Sequence, residues 1–289
     1  GQKQMGLFAA VPFILFWRFT RDVSFAARAL PLLLGLAAFW ECALRPGDDF
    51  KLHDMFDCAE ELCIPDGDLQ PDPTVVLSFL PCLFETLADM TAALDVEEEG
   101  RKRWRAIAQH ITPYPTELVD GAEVIADFFG GEGERGLALR FHAGGSVAWG
   151  GLFAAFPLGT VGLGSGQKDL SLVKQSIERF FRTWPGGKQG NSFPHAFAAG
   201  ARVGWQPQRL LGLWEAYLAN KTDPKCQMYS NGMVLGCGGT GLENVGGTAY
   251  LNEMLLQSHE GILRLFPTVP AGLAARFRLR AVGGFIVSA

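Results

Sequence analysis

Apolar positions recur at helical spacing over most of this chain. Met5–Phe19 and Val23–Leu44 read as two helices joined by a short turn at Thr20-Arg21-Asp22, and Pro46-Gly47-Asp48-Asp49 stops the second. Both are apolar nearly all round, the pattern of helices packed on several sides. Their apolar runs, Met5–Trp17 and Leu30–Trp40, fall short of the roughly 20 residues a bilayer span takes, so no membrane span is expected. A polar stretch over 48–73 follows, holding His53, Asp54, Asp57, Glu60, Glu61, Asp66, Asp68 and Asp72. Pro73-Thr74 opens a long helix to about Leu94, with Thr74 or Asp72 as its cap. Asp95 is expected to cap the next, Glu97–His110, which runs from acidic to basic as the helix dipole favours.

Glycines and aromatics crowd residues 111–167, with turns at Pro113-Tyr114-Pro115, Asp120-Gly121 and Gly130-Gly131. Helical patterns return at Lys168–Thr183, Ser192–Val203, Gln206–Leu218 and Thr248–Ser258. The end of the chain alternates like short strands over Gly261–Phe266, Arg276–Arg280 and Gly284–Ser288. Helix, short turn, helix, long polar loop is the rhythm. Hairpins of that kind can close into a toroid whose long loops gather at one end, where binding residues sit. An ordinary helical bundle is the alternative.

Charge narrows the function. With 30 Asp and Glu against 25 Lys and Arg, the net charge of −5 speaks against a broad nucleic-acid-binding surface. An apolar content of 48% excludes disorder. The six cysteines, Cys42, Cys58, Cys63, Cys82, Cys226 and Cys237, make no disulfide framework. No small-residue cleavage site follows the first apolar run, so it does not read as a secretory signal. A helical pattern already under way at Met5 implies a longer amino end.

A longer match lies near the carboxy end. Gly246-Gly247-Thr248-Ala249-Tyr250-Leu251-Asn252-Glu253-Met254-Leu255-Leu256-Gln257-Ser258-His259-Glu260-Gly261, then Leu263-Arg264-Leu265-Phe266-Pro267, resembles the end of the catalytic domain of the family 95 glycoside hydrolases, the alpha-L-fucosidase family. Arg278–Val287 is similar to the strand pair that follows there. Arg28–Gly35, Leu94-Asp95-Val96, Pro157, Gly159 and Ala201-Arg202-Val203-Gly204 fall in step. The resemblance implies an (α/α)6 toroid, incomplete here at eight or nine helices over residues 1–260, with a β segment beginning at 261–289. It implies that the first helices lie upstream. An incomplete toroid leaves apolar helix faces bare, so an upstream or partner segment, or an open apolar flank, is expected.

The implied activity is cleavage of a glycosidic bond in an oligo- or polysaccharide, by inversion and without a cofactor. Inversion takes a carboxylic acid and a base about 6.5–9.5 Å apart, with room for water between. Glu243 is the first candidate: the resemblance places a carboxylate in its Gly-rich loop, though one residue earlier, at the offset of Leu242, beside the matching Asn244. The family's acid follows an Asp-Gly turn; Asp120-Gly121 fits, but Ile125 holds the acid's position, flanked by Glu123 and Asp127. Candidate sugar contacts are His53 and Glu60 in the acidic stretch, Trp149, Asn191, His195 and Asn244. Several replace the histidines and tryptophans of the family, which implies a different glycan or lost catalysis.

Two rivals follow: a non-catalytic glycan-binding relative, and a polysaccharide-lyase-type toroid using a Tyr/His or Asn/His pair drawn from Tyr114, His195 and Asn191. No EF-hand spacing or HExxH occurs, so no metal is expected. Gly162-Leu163-Gly164-Ser165-Gly166 lacks the strand and the Lys-Ser/Thr ending of phosphate loops and reads as a turn. His259 reads as a helix-end residue donating to a terminal carbonyl.

Overall fold

A computed structural model of the 289-residue chain describes residues 3–55, 57, 70–129, 150–183, 193–219 and 247–289. It is mainly helical: nine helices and four two-stranded antiparallel or hairpin pairs occur among the described residues. Two compact units divide the chain. The first comprises residues 1–118, 125–146 and 282–285, the second 119–124, 147–281 and 286–289.

The first unit is built around α3. Helices α1 (Gln4–Thr20) and α2 (Val23–Ala43) are joined at Arg21-Asp22, where Asp22 caps α2 by accepting from the Phe25 amide at 2.9 Å. α3 (Thr74–Ala93) packs on α1, α2 and α4 (Glu98–His110). Fifteen of its 20 residues are buried, so it is apolar on every side because every side is covered. α1 and α2 bury only a stripe each, Leu7, Ala10, Ile14 and Trp17, and Ala26, Ala29, Leu33, Ala37 and Trp40. The Trp17 indole on that stripe donates to Asp89 at 2.8 Å, and Arg21 pairs with the same carboxylate while lying 4.3 Å over the Trp17 ring. Trp104 of α4 donates to Glu41 of α2 at 2.7 Å.

Helix lengths revise the reading of apolar runs. α2 is 21 residues and α3 is 20, and both are long and apolar enough to cross a bilayer by length and composition. A run count stops at Arg28; a helix does not. In α3 the most apolar stretch is 78% buried, as a core helix requires, whereas in α2 it is 28% buried. Met5, Phe16, Val23, Leu32 and Phe39 are exposed along α1 and α2. Two caps differ from expectation. α3 begins at Pro73 with no side-chain cap, and α4 begins at Glu97, in the left-handed region, rather than at Asp95. The Asp72 carboxylate is engaged elsewhere, as described below.

In the second unit α7 (Phe193–Val203) is central. α5 (Gly150–Ala155), α6 (Gln167–Thr183), α8 (Pro207–Leu218) and α9 (Gly247–Leu255) all pack on it. Ala196, Ala198, Ala199 and Ala201 let those neighbours approach, and Phe197 fills the space between them. α9 stops three residues before the expected Ser258, because β5 (Leu256–Gln257) leaves it to pair with β6 (Arg264–Leu265). β7 (Arg278–Arg280) pairs with β8 (Ile286–Ser288), and Leu256, Phe277 and Ala281 form a small core beneath these strands. The Gly162–Gly166 segment is a turn whose anion is part of the protein. The Gly164 amide donates to the Glu260 carboxylate at 2.9 Å, and a Cβ on Gly162 would lie 2.6 Å from the His259 ring.

Candidate functional site

A cleft of about 880 Å³ opens in the first unit. Its floor starts at a hairpin the sequence pattern did not predict, β1 (Arg45–Pro46) with β2 (Leu52–His53), tied at its tip by Gly47 N–H to Lys51 O at 2.8 Å. β2 is held on its other side too: Thr112 N–H donates to Leu52 O at 3.0 Å. One wall is Thr112-Pro113-Tyr114-Pro115, the chain leaving α4; another is Phe129. Phe129 is placed by a clip at the start of α3. The Thr74 amide donates to Asp127 O at 2.8 Å, the Thr74 hydroxyl to Ala126 O at 2.6 Å, and Phe129 N–H to Pro71 O at 2.9 Å.

His53 sits at the centre. Its Nδ1 donates to Asp72 Oδ2 at 2.7 Å and its Nε2 to Asp49 Oδ1 at 3.0 Å. Asp72 is fixed: its side chain is 8% exposed, its Oδ1 accepts from the Asp54 amide at 2.9 Å, and its own amide donates to Asp54 O at 2.7 Å. Asp49 is on the hairpin tip with its side chain 53% exposed. Gly47 makes room for the imidazole, since a Cβ there would lie 2.7 Å from the His53 ring. Behind the site Asp54 is fully buried and paired with Lys3.

Two carboxylates on one imidazole demand a proton on each ring nitrogen. Partial burial alone pulls the His53 pKa down, but the hydrogen bonds and charges of Asp72 and Asp49 outweigh it and hold the group above the ordinary histidine value. Burial pushes the Asp72 carboxyl up despite its hydrogen bond from His53 Nδ1; the separate hydrogen bond from His53 Nε2 lowers exposed Asp49. The charged form of the imidazole is thereby favoured in a cleft whose other charged lining residues, among those described, are Asp48, Asp49 and Asp72. Tyr114, Phe129 and Met55 supply flat or soft apolar surface beside them.

Of the residues singled out in the sequence, His53 lines this cleft, and so does Tyr114 of the rival pair. Glu60, Trp149, Asn191, Glu243 and Asn244 lie outside the described residues. Glu123 is exposed on β4 (Ala122–Ile125), which follows β3 (Thr116–Val119) through the expected turn at Asp120-Gly121. Asp127 lies at the α3 clip, and neither carboxylate is part of the cleft lining. Ile125, at the acid's expected position, is fully buried.

His195 is committed to its own helix packing in the second unit. Its Nε2 donates to the Phe156 carbonyl, and its ring meets Phe153 and Phe156 edge-on at 4.7 and 5.4 Å. Burial, aided by the nearby Arg202 charge, pushes its pKa down to about 4, so it is neutral at physiological pH.

Asp49, Asp72, Gly47 and Phe129 were missed as site residues by sequence reasoning. An Asp four residues before His53 and another directly before Pro73 were the available signals, and both read equally well as turn and cap residues. Among the described residues no group of three His, Cys, Asp or Glu side chains is arranged to hold a metal ion. No family model matches the chain, and no curated protein matches it.

Proposed function

We propose that this chain is a glycoside-hydrolase-like protein of the (α/α)6 toroid kind, cleaving a glycosidic bond by inversion, with the cleft around His53 as its sugar site. The observation that carries the reading is the lining of that cleft. Tyr114 and Phe129 offer faces for the apolar side of a sugar ring, and Asp48, Asp49, Asp72 and His53 offer directional partners for hydroxyls. Its volume of about 880 Å³ suits a saccharide of a few units. The sequence resemblance in residues 246–287 supports the same class. By the sequence resemblance Glu243, outside the described residues, is the proposed catalytic carboxylic acid, with Glu123 and Asp127 as further candidate carboxylates.

A lyase-type reading has one observation in its favour, Tyr114 in the same cleft as His53. Against it, no Lys or Arg lines the cleft among the described residues, and a uronate substrate calls for one. A glycan-panel assay of the protein beside Glu243→Gln and Phe129→Ala tests the proposal. Hydrolysis products are expected from the wild type, loss of kcat in the first variant and a raised KM in the second. Unsaturated products would instead establish the lyase, and binding without turnover the non-catalytic relative.

A further inference from the structure

We infer that the outward face of α1 and α2 docks on an anionic lipid surface, with both helices lying in the plane of the bilayer rather than across it. The inference goes beyond the glycan-cleaving reading and does not depend on it. Three helices of the first unit pack on α3, and what two of them turn outward sets them apart from the third. α4 exposes Lys102, Arg103, Arg105, Gln109 and His110, as a helix facing water does. α1 exposes Met5, Ala9, Pro12 and Phe16. At helical spacing these four fall on one line, on the side opposite buried Leu7, Ala10, Ile14 and Trp17. Beyond Arg28, α2 exposes Pro31, Leu32, Gly35, Ala38, Phe39 and Cys42, again opposite its buried stripe. The ring of Phe25 in α2 lies 4.2 Å from that of Phe16 and 6.1 Å from that of Phe13 in α1, centre to centre, so the two stripes join into one apolar surface. A helix that is apolar all round is covered on all sides, and α3 covers only one side of each of these.

The charges choose the occupant. Residues 1–45 hold five Lys or Arg and two Asp or Glu, in a chain of net charge −5. Both acids are engaged: Asp22 accepts from the Phe25 amide, and Glu41 accepts from Arg103 and Trp104. Lys3, Arg18 and Arg21 pair with Asp54, Glu85 and Asp89 of the same unit. That leaves Arg28 on the outward face and Arg45 just past the end of α2, both exposed and without a carboxylate partner among the described residues. A second copy would bring the same face, with no exposed carboxylate between Val23 and Cys42, and would bury Arg28 unpaired. A bilayer with anionic headgroups meets both needs. Its acyl boundary takes Phe16, Leu32 and Phe39 to a depth of about 5–10 Å, while the long Arg28 and Arg45 side chains reach back to the headgroup phosphates. The inner stripes stay on α3, so neither helix is ringed by lipid, and the pair lies on the surface.

Vesicle flotation of the full chain tests this. The protein is expected to float with phosphatidylcholine vesicles holding about 30% phosphatidylserine, and to bind phosphatidylcholine alone about 10- to 30-fold more weakly. Arg28→Gln is expected to lose about 5-fold on the mixed vesicles. Leu32→Asp combined with Phe39→Asp is expected to lose about 100-fold or more, because two apolar anchors are replaced by charges that anionic headgroups repel. Circular dichroism checks the fold of each variant. Should the double variant misfold, Leu32→Ser, a smaller change at the same exposed position, carries an expected loss of about 10-fold. Full binding by a folded variant of this face, or no flotation with either vesicle, overturns the proposal. Equal affinity for the two vesicles overturns the part given to Arg28 and Arg45 and supports the apolar docking. A dimer in sedimentation velocity that the same substitutions break, with no vesicle binding, overturns the lipid surface in favour of a second copy. None of these measurements reads glycan turnover, so the glycan-cleaving reading stands or falls separately.

Discussion

His53 and His195 show how one side chain is put to opposite uses in the two units. His53 lies between two carboxylates at the edge of a cleft, and they favour its charged form. His195 lies among phenylalanines with a carbonyl as its hydrogen-bond partner and a buried arginine nearby, and is held neutral. The difference follows from what surrounds each ring. Carboxylates favour the imidazolium, whereas aromatic packing removes the water that would solvate it. A titratable group left beside a cavity can exchange its proton with a ligand. One sealed into a helix packing serves the fold.

The contrast is broken most severely by removing the arginine that backs His195. Arg202 donates to both oxygens of Glu253 and, at 2.9 Å each, to the carbonyls of Ala155 and Pro157, with both charged side chains largely buried. Arg202→Met leaves an unpaired buried carboxylate and two orphaned carbonyls. The expected cost is about 3–5 kcal/mol, read by urea denaturation.

Next in size is the pH dependence. His195 has a folded pKa of about 4 against an ordinary 6.5, so its contribution is complete above pH 6.5 and is lost as pH falls toward 4, by up to about 3 kcal/mol. Denaturation from pH 7 to pH 4.5 should show this loss. His195→Gln, which keeps a donor for the Phe156 carbonyl and does not titrate, should flatten it. His53 has the opposite sign: its raised pKa contributes stability below pH 6.5 that is lost as pH rises through the folded value.

The smallest of these effects is expected at Gly47→Ala. The new methyl group meets the His53 ring, so the ring or the hairpin tip must shift, at about 1–3 kcal/mol. In an NMR titration, His53 should move toward the ordinary value as its two carboxylate contacts lengthen. Unchanged stability and titration would show that the tip yields freely without the ring.

Periodicity made the helices legible. The boundaries of α1 to α4 and α6 to α8 fall within a residue or two of the sequence pattern, because each has an apolar stripe or is apolar throughout. The β1–β2 hairpin was not legible, since strands of two residues leave no alternation to read. Caps misled for a physical reason. Asp72 has the right residue type and place to cap α3, but a histidine 19 positions earlier claims its carboxylate. His53 stood out because it interrupts an acidic stretch. Phe129 did not, because only the Thr74–Asp127 clip brings it to the cleft, and no local pattern announces a contact of that range.

One hydrogen bond at the far end of the sequence bears on the order of assembly. The amide of Gly283 donates at 2.8 Å to Arg18 O, a carbonyl in the last turn of α1 that the helix itself leaves unpaired. Gly283 and Gly284 both sit at positive φ, and a Cβ on Gly284 would lie 3.2 Å from Thr20 O, so the segment is shaped to reach this spot. During synthesis the earliest helix of this sequence therefore leaves the ribosome with its end unfinished. Residues 282–285 must emerge before water on that carbonyl is exchanged for this amide, which makes the closing of the first unit a late event relative to the forming of its first helices.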